Sequence, residues 1–215
     1  MSEPNYIALE GVIGAGKTTL ARMLAEKIDA ELLLDDAMNN PFIVDFYKEK
    51  NRYAFSAQLY FLLSRYQQQQ SLIVRDLFAQ RIVADYTFIR DQIFATVNLS
   101  KRELILYERI LPLLKADIPP PDLTIYLQTS TPVLLERIKK RNYGFERSID
   151  VDYITELNDA FNYFFFHYDD SPLLVVKTDD IDFVDNRDDF ENLVELIKKP
   201  ITGKKYYVPA GHTMP

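Results

Sequence analysis

Five short apolar runs occur along the chain, each of a length that suits one buried strand. They alternate with stretches in which apolar residues recur every three or four positions, the spacing of an amphipathic helix. Apolar strands that alternate with helices indicate a parallel sheet covered by helices on both faces. We therefore predict a three-layer α/β fold around a five-stranded parallel sheet, with strands at 6–10, 31–34, 82–85, 123–128 and 173–177.

Local signals place the helices between these strands. Ser100 and Glu103 have the spacing of a capping box, and Thr131 followed by Pro132 marks a second helix start. The four glutamines at 67–70 are predicted to form a solvated helix face, and the chain from 202 onwards a loosely ordered tail. The predicted helices cover 19–28, a short segment through Phe46 and Tyr47, 52–78, 100–114, 131–140, 150–168 and 190–198.

The residues from Gly11 to Thr18 match the phosphate-loop pattern G-x-x-x-x-G-K-[S/T] at every fixed position. The match lies between a predicted strand and a predicted helix, as a phosphate loop requires. Glycines let successive backbone N–H groups face a phosphate chain, and the helix start adds further unpaired N–H groups. Lys17 is expected to reach the outer phosphates and Thr18 to bind Mg²⁺. The loop predicts a nucleoside triphosphate site in a P-loop NTPase-type fold, contacted by Gly11, Gly14, Ala15, Gly16, Lys17, Thr18 and Thr19.

Composition narrows the class of protein. The 215 residues suit one domain, predicted to span 1–201 and to be followed by a tail at 202–215. The net charge of −7 argues against nucleic acid as a partner, because a phosphate backbone needs a basic surface. The chain has no cysteine, which excludes disulfides and thiolate catalysis. It shows neither a signal peptide nor an apolar run near the ~20 residues of a membrane span, so we expect a cytoplasmic protein with no membrane partner.

Carboxylates stand at the ends of two predicted strands, at the edge of a parallel sheet where ligands bind. Asp35 follows the second strand and is a candidate to accept the proton of an attacking hydroxyl. Asp36 competes for this role, because the sequence does not decide which of the two side chains points inward. Asp85 ends the third strand and is a candidate to hold Mg²⁺ through water. For each carboxylate the structural alternative is an acidic loop residue or a helix cap.

A phosphate loop alone leaves the reaction open. The chain lacks the N-K-x-D element that reads guanine in GTPases, and its third strand ends in one acid where motor and transporter ATPases usually have paired acids. A small kinase with a separate acceptor site remains. Arg137 and Arg141 share one helix face and, with Arg147, fit a lid at about 137–148 that neutralises charge on the transferred phosphoryl group. The alternative is a solvated basic helix end.

Taken together and in this order, the motifs resemble the deoxynucleoside kinases, with the bacterial deoxyadenosine/deoxyguanosine kinase-like branch as the nearest group. The resemblance covers nearly the whole chain apart from the tail. It implies transfer of the ATP γ-phosphate, with Mg²⁺, to the 5′-hydroxyl of a deoxynucleoside in nucleotide salvage, usually by a homodimer. It is carried by the phosphate loop, Asn40-Pro41, Gln58, Ser64-Arg65, the Asp85 segment and the arginine-rich lid.

The resemblance also implies roles for single residues. Asp35 takes the place of the catalytic glutamate, and Arg137 and Arg141 match the lid arginines. From the pattern alone, several of the acceptor residues would be interpreted as core or helix-face residues. The resemblance assigns Tyr47 and Glu146 to the sugar 3′-hydroxyl, Gln58, Arg65 and Asp91 to the base edge, Phe94 to stacking on the base, Asp85 to the substrate and Mg²⁺ region, and the loop 179–184, with Asp182 and Phe183, to the donor adenine.

Two departures from the family pattern affect this assignment. Asp35 is one methylene shorter than the usual glutamate, and Tyr86 stands where many relatives have an arginine. Lower activity or a shifted acceptor preference is the hypothesis that follows. The Arg65 and Asp91 pair favours a purine deoxynucleoside or deoxycytidine as the acceptor, with deoxyadenosine or deoxyguanosine first.

Three other functions compete with this interpretation. A nucleoside monophosphate kinase of the thymidylate kinase type would need a cation for the acceptor phosphate, and residues 35–46 contain no arginine or lysine. A nucleotide-binding switch without turnover would need the phosphate loop alone. A small-metabolite kinase fits the length of the chain but accounts less well for Gln58 and Arg65 on one long helix.

Overall fold

The computed structural model describes residues 3–75, 81–141, 149–179, 181, 183 and 186–208. Within these residues the chain forms a six-stranded sheet in the order β2-β3-β1-β4-β5-β6. Every neighbouring pair of strands is parallel. The strands are β1 Tyr6–Glu10, β2 Glu31–Leu33, β3 Ile82–Ala84, β4 Leu123–Gln128, β5 Leu173–Lys177 and β6 Lys204–Tyr207.

Helices cover the sheet, and several begin at the caps that the sequence predicts. The side chains of Ser100 and Glu103 form a capping box, and the Asp150 carboxylate caps its helix by accepting from the Asp152 N–H. None of the described helices is long and apolar enough to cross a membrane. The helices are α1 Lys17–Ile28, α2 Ile43–Lys48, α3 Lys50–Arg75, α4 Arg90–Asn98, α5 Lys101–Lys115, α6 Thr131–Arg141, α7 Val151–His167 and α8 Arg187–Ile197, with a 3₁₀ turn at Ala37–Asn39.

The predicted parallel α/β fold is confirmed, but the sheet has six strands where the sequence predicted five. The sixth, β6, pairs with β5 in the register Leu173↔Lys204 to Val176↔Tyr207. The expectation of a loosely ordered tail is therefore wrong for 204–207. As an edge strand, β6 is mostly exposed and carries two lysines, so it lacks the apolar run that identifies a buried strand. Helix α4 was also missing from the predicted elements.

The glutamine run on α3 is not the solvated face that the sequence suggested. Gln69 is buried, and its Nε2 donates to the Tyr6 hydroxyl at 3.3 Å. Gln68 donates through Nε2 to the Leu34 carbonyl at 3.0 Å. Glutamine is polar enough to look exposed in sequence, yet its amide can satisfy buried carbonyl and hydroxyl groups. Half of the run therefore connects α3 to the sheet.

The strand order determines where the site forms. Strands β2, β3 and β1 are neighbours, and all three are parallel, so the segments that follow them leave the sheet at one edge. Those segments carry Asp35, Asp85 and the phosphate loop. Asn40 holds the first of them against α3, because its buried side chain donates to the Ala57 carbonyl at 2.9 Å and accepts from the Phe42 N–H at 2.9 Å. Ligands of parallel sheets bind at this edge.

Candidate active site

The phosphate loop is held in a conformation that requires glycine. Gly14 has φ 87°, in the left-handed region where residues with a Cβ are strained. A Cβ at this position would lie 2.9 Å from Ile138 Cγ1 and 3.0 Å from the Leu134 carbonyl oxygen. Helix α6 therefore packs directly on the loop. This contact places the arginines of α6 beside the phosphate site.

Lys17 occupies the centre of the loop. Its buried ammonium group donates to the carbonyls of Gly11 at 2.8 Å and Val12 at 2.9 Å. Burial, and then the neighbouring positive charge of Arg90, lowers the pKa of Lys17 to about 7, although nearby carboxylates oppose the change. The energetic cost of its charge would fall once a phosphate chain lies beside it.

Asp85 connects the phosphate loop helix to the end of β2. Its Oδ2 accepts from the Thr18 hydroxyl at 2.5 Å, and its Oδ1 accepts from the Asp35 N–H at 2.7 Å. Asp85 is buried. One carboxylate thus fixes both the hydroxyl that a phosphate loop presents to Mg²⁺ and the backbone of the candidate base.

A buried ion network surrounds Arg65. Its Nε and Nη2 donate to the two oxygens of Asp35 at 3.1 and 2.6 Å, and its Nη1 donates to Asp91 Oδ1. Burial acts to raise the pKa of Asp35, but the charge and hydrogen bonds of Arg65 outweigh it, so that the pKa is lowered overall. Asp35 is therefore ionised and held in one orientation.

Asp91 forms the other end of this network. Gln58 Nε2 donates to its Oδ1 and to its backbone carbonyl, both at 2.9 Å. Asp91 is completely buried, and its Oδ2 has no hydrogen-bond partner within the described part of the chain. Burial raises the pKa of Asp91 to about 6, against the effect of Arg65. An unpaired buried carboxylate oxygen is costly, which indicates that it receives a donor from a ligand.

Two cavities meet at the phosphate loop. The donor cavity, of about 450 Å³, lies between the loop, α6 and the segment after β5. The acceptor cavity, of about 710 Å³, lies between the loop, the segment after β2, α3 and α4. Both are large enough for a nucleoside-sized ligand. The residues that line both are Gly14, Lys17, Thr18, Thr19 and Arg141.

The structure places the predicted site residues in one or the other of the two cavities. Asp35 and Asp36 both line the acceptor cavity, but Asp35 accepts from Arg65, whereas the more exposed Asp36 accepts from Asn39 Nδ2 at 2.5 Å. Gly11 lies beneath the loop and presents its carbonyl to Lys17. The acceptor cavity is lined by Tyr47, Gln58, Arg65, Asp85, Asp91 and Phe94, and the donor cavity by Ala15, Gly16, Arg137, Arg141 and Phe183. Glu146, Arg147 and Asp182 lie outside the described residues.

Several lining residues were missed. Arg90 and Gln68 line the acceptor cavity, and Lys140 and Thr178 line the donor cavity. Arg90 immediately precedes Asp91, so a prediction of helix α4 would have drawn attention to it. Tyr86, in contrast, is fully buried and donates its hydroxyl to Gln68 Oε1 at 2.6 Å.

Comparisons with known proteins show the family to which the chain belongs. A sequence model of the family described as deoxynucleoside kinase matches residues 7–202. The Bacillus subtilis deoxyguanosine kinase is 35% identical over 208 residues, which cover 94% of this chain and 100% of that protein. The Dictyostelium discoideum deoxyadenosine kinase is 35% identical over 202 residues, covering 91% of this chain and 79% of that protein. Among solved structures, a deoxyadenosine kinase from M. mycoides with bound dCTP is similar with a TM-score of 0.76 and 27% identity, covering 89% of this chain and 97% of the other.

The lowered pKa of Lys17 predicts that nucleotide binding takes up a proton. At pH 8.5 the free site holds a mostly neutral amine, because its pKa is about 7. Phosphate charges favour the ammonium form, while the terminal phosphate of ATP, with a pKa near 6, is already ionised. Calorimetry of ATP binding without Mg²⁺, in buffers of different ionisation enthalpy, should show uptake of nearly one proton. Lys17→Arg is the control, because arginine stays protonated and should show no uptake. No uptake by the wild type would contradict this description of Lys17.

Proposed function

Because this chain belongs to the deoxynucleoside kinase family, we propose that it transfers the γ-phosphate of ATP to the 5′-hydroxyl of a deoxynucleoside, with Asp35 accepting the hydroxyl proton. The observation that carries the proposal is the junction of the two cavities at the phosphate loop. Lys17 lies at this junction and borders both cavities, whereas Asp35 borders the acceptor cavity. Such an arrangement brings a triphosphate and a hydroxyl together in one site.

Asp35 suits the proton-acceptor role despite its lowered pKa. Phosphoryl transfer passes through a loose transition state, so catalysis depends more on positioning and charge than on a strong base. The two hydrogen bonds from Arg65 fix the carboxylate, and the Asp35 N–H is itself held by Asp85. The hydroxyl is thereby oriented towards the phosphate loop. Because Asp35 titrates below its usual range, it remains ionised across the neutral pH range.

Thr18 and Asp85 fit a Mg²⁺ ion bound with the triphosphate. Mg²⁺ usually takes one or two carboxylates together with phosphate oxygens and water. The described residues contain no cluster of three or more acidic or histidine side chains suited to a metal on its own, so phosphate oxygens would supply other ligands. When bound, the ion neutralises charge on the β- and γ-phosphates. The hydrogen bond between Thr18 and Asp85 holds both groups in place beforehand.

The arginines of α6 complete the donor side. Arg137 donates to the carbonyls of Ala15 at 3.3 Å and Thr178 at 2.9 Å, and so connects the phosphate loop to the end of β5. Arg141 borders both cavities, which suits a contact with the phosphoryl group in transit. We assign Arg137 to donor positioning and Arg141 to charge neutralisation.

Substitution at the two adjacent aspartates tests the function directly. Asp35→Asn removes the proton acceptor, and we expect kcat to fall by about 10²- to 10⁴-fold with ATP affinity unchanged. Asp36→Asn is the matched control, because its side chain contacts Asn39 at the exposed side of the segment, and it should retain kcat. The measurement is steady-state phosphoryl transfer from Mg²⁺-ATP to each of the four deoxynucleosides and to thymidine and deoxycytidine monophosphates. Loss of activity in Asp36→Asn alone would reverse the assignment, and turnover of monophosphates only would refute the acceptor site.

The monophosphate kinase alternative needs a cation for the acceptor phosphate. The sequence argument against it considered residues 35–46 only, but Arg22 and Arg90 reach the acceptor cavity from other elements. That argument therefore does not hold by itself. Family membership is what favours a deoxynucleoside acceptor.

The base-reading end favours an amino group on the base. The ionised Asp91 Oδ2 is an acceptor without a partner, and the Gln58 amide nitrogen is already used by Asp91. At C6 of a purine or C4 of a pyrimidine, adenine and cytosine carry an amine, whereas guanine and thymine carry a carbonyl oxygen that the carboxylate would repel. We propose deoxyadenosine and deoxycytidine as the preferred acceptors. Relatives are named for deoxyguanosine, deoxyadenosine and deoxycytidine, so their names do not select one base. The proposed base preference therefore rests on the geometry around Asp91.

Asp91 therefore makes base selection dependent on pH. Below about pH 6 it takes up a proton, and Oδ2 becomes a donor that can serve the guanine oxygen. We expect the ratio of kcat/KM for deoxyguanosine to that for deoxyadenosine to rise as the pH falls through 6. Asp91→Asn supplies a permanent donor and should raise this ratio by about tenfold or more and remove its pH dependence. A wild-type ratio that favours deoxyguanosine at pH 8 would refute the assignment.

We further propose that the enzyme is a homodimer, as the resemblance implied, and that it is cytoplasmic. Support for the dimer comes from α5, where the apolar side chains of Ile105, Leu106 and Leu113 are about half exposed or more. An exposed apolar patch of this kind marks an interface, and a symmetric pair would bury the same patch on both copies.

Charge placed on this face should dissociate the dimer. Leu106→Glu combined with Leu113→Glu is expected to halve the mass measured by light scattering. Burying two carboxylates in the interface without counter-charges would cost too much free energy. Phe166→Glu on α7 is the control, since Phe166 is 68% exposed and lies outside the patch. A wild-type monomer would refute the proposal, and dissociation by Phe166→Glu would place the interface on α7.

A further inference from the structure

Arg90 is a buried cation that pairs with no carboxylate among the residues that the structure describes. It begins α4 and is 6% exposed. Its Nη1 donates to the Asp85 carbonyl at 3.2 Å and its Nη2 to the Gly11 carbonyl at 3.5 Å, while Nε is buried without a partner. Among the described residues it forms no ion pair, in contrast to Arg65, which is paired with two carboxylates.

The surroundings of Arg90 indicate that it binds an anionic ligand. A buried charge without a counter-charge is destabilising, and its retention indicates a ligand that supplies the opposite charge. Arg90 lines the acceptor cavity together with Lys17 and Asp35. Its charge lowers the pKa of both of these groups, so it acts on the phosphate side and on the acceptor side of the junction. An anion between the two would be neutralised by Arg90.

We propose that Arg90 is a catalytic residue that contacts the phosphoryl group as it passes from ATP to the 5′-hydroxyl and then binds the phosphate of the monophosphate product. In this step the bond from the β–γ bridging oxygen to the γ-phosphorus breaks and a bond from the 5′-oxygen forms. The hydroxyl proton goes to Asp35, and ADP leaves with the bridging oxygen. Arg90 exchanges no proton and contributes only positive charge. The inference rests on the phosphoryl transfer proposed above.

The proposal for Arg90 also changes how the tyrosine at position 86 is interpreted. Tyr86 is bonded to Gln68 and is fully buried, and of the two described residues it is Arg90 that lines the cavity. A guanidinium therefore reaches the site from the first turn of α4. Although Tyr86 is neutral, Arg90 supplies a cation to the region of phosphoryl transfer.

A purely structural role is the competing explanation, because Arg90 also bonds the backbone after β1 and β3. The test compares Arg90→Gln and Arg90→Lys in four measurements: kcat, KM for the preferred deoxynucleoside, affinity for that nucleoside and for its 5′-monophosphate, and melting temperature. For Arg90→Gln we expect kcat to fall about 10²- to 10³-fold with KM changed less than about threefold. Monophosphate affinity should fall about tenfold, nucleoside affinity should stay unchanged, and the melting temperature should hold or rise because an unpaired buried charge is removed. Arg90→Lys should recover part of kcat.

The control is Arg52→Gln, which changes an exposed arginine paired with Glu49 on α3 and should leave all four quantities unchanged. Equal loss of nucleoside and monophosphate affinity with a lower melting temperature would assign Arg90 a structural role and overturn the inference. A kcat within threefold of wild type would overturn it as well. A wild-type enzyme that phosphorylates no deoxynucleoside would instead refute the proposed function.

Discussion

The site depends on one buried guanidinium that is shared by two carboxylates. Arg65 holds Asp35 through two hydrogen bonds and Asp91 through a third. The two carboxylates respond in opposite directions, with the pKa of Asp35 lowered and that of the completely buried Asp91 raised. One cation therefore holds two carboxylates of the acceptor cavity, the one proposed to accept the hydroxyl proton and the one proposed to meet the base. Because Arg65 lies on the long helix α3, the separation between chemistry and recognition is set by a rigid element.

The phosphate end of the site holds two buried cations, whereas the acceptor end holds two carboxylates around one cation. Lys17 and Arg90 are buried near each other, and each makes hydrogen bonds to backbone carbonyls. Their mutual repulsion is part of the reason that the pKa of Lys17 falls to about 7. Fixed positive groups of this kind are costly in the free protein and become favourable when phosphates arrive, which is the electrostatic preorganisation that phosphoryl transfer requires. Asp85 limits the cost, because it lies between Thr18 and the Asp35 backbone and contributes negative charge close to Lys17.

Local contacts explain why these groups keep their places. Asn40 connects the segment after β2 to α3, Arg137 connects the phosphate loop to the end of β5, and the close packing of Ile138 on Gly14 positions α6. The side chain of Glu10, at the end of β1, accepts from the N–H and hydroxyl of Thr87 at 2.6 and 2.8 Å and thereby fixes the start of the segment that carries Arg90. Each contact is made by a residue outside the reacting groups.

The sequence by itself determined the α/β class, five strands of the sheet and the phosphate loop, because apolar runs and the G-x-x-x-x-G-K-T spacing are local signals. The tertiary structure alone decided the rest. β6 is an exposed edge strand that depends on pairing with β5, and Gln69 is buried only because α3 crosses the sheet beside Tyr6. The proposal of Asp35 over Asp36 as the proton acceptor rests on its hydrogen bonds from Arg65, thirty positions away in sequence. Arg90 had no signal of its own, because a buried cation without a counter-charge becomes visible only when every element packed around it is in place.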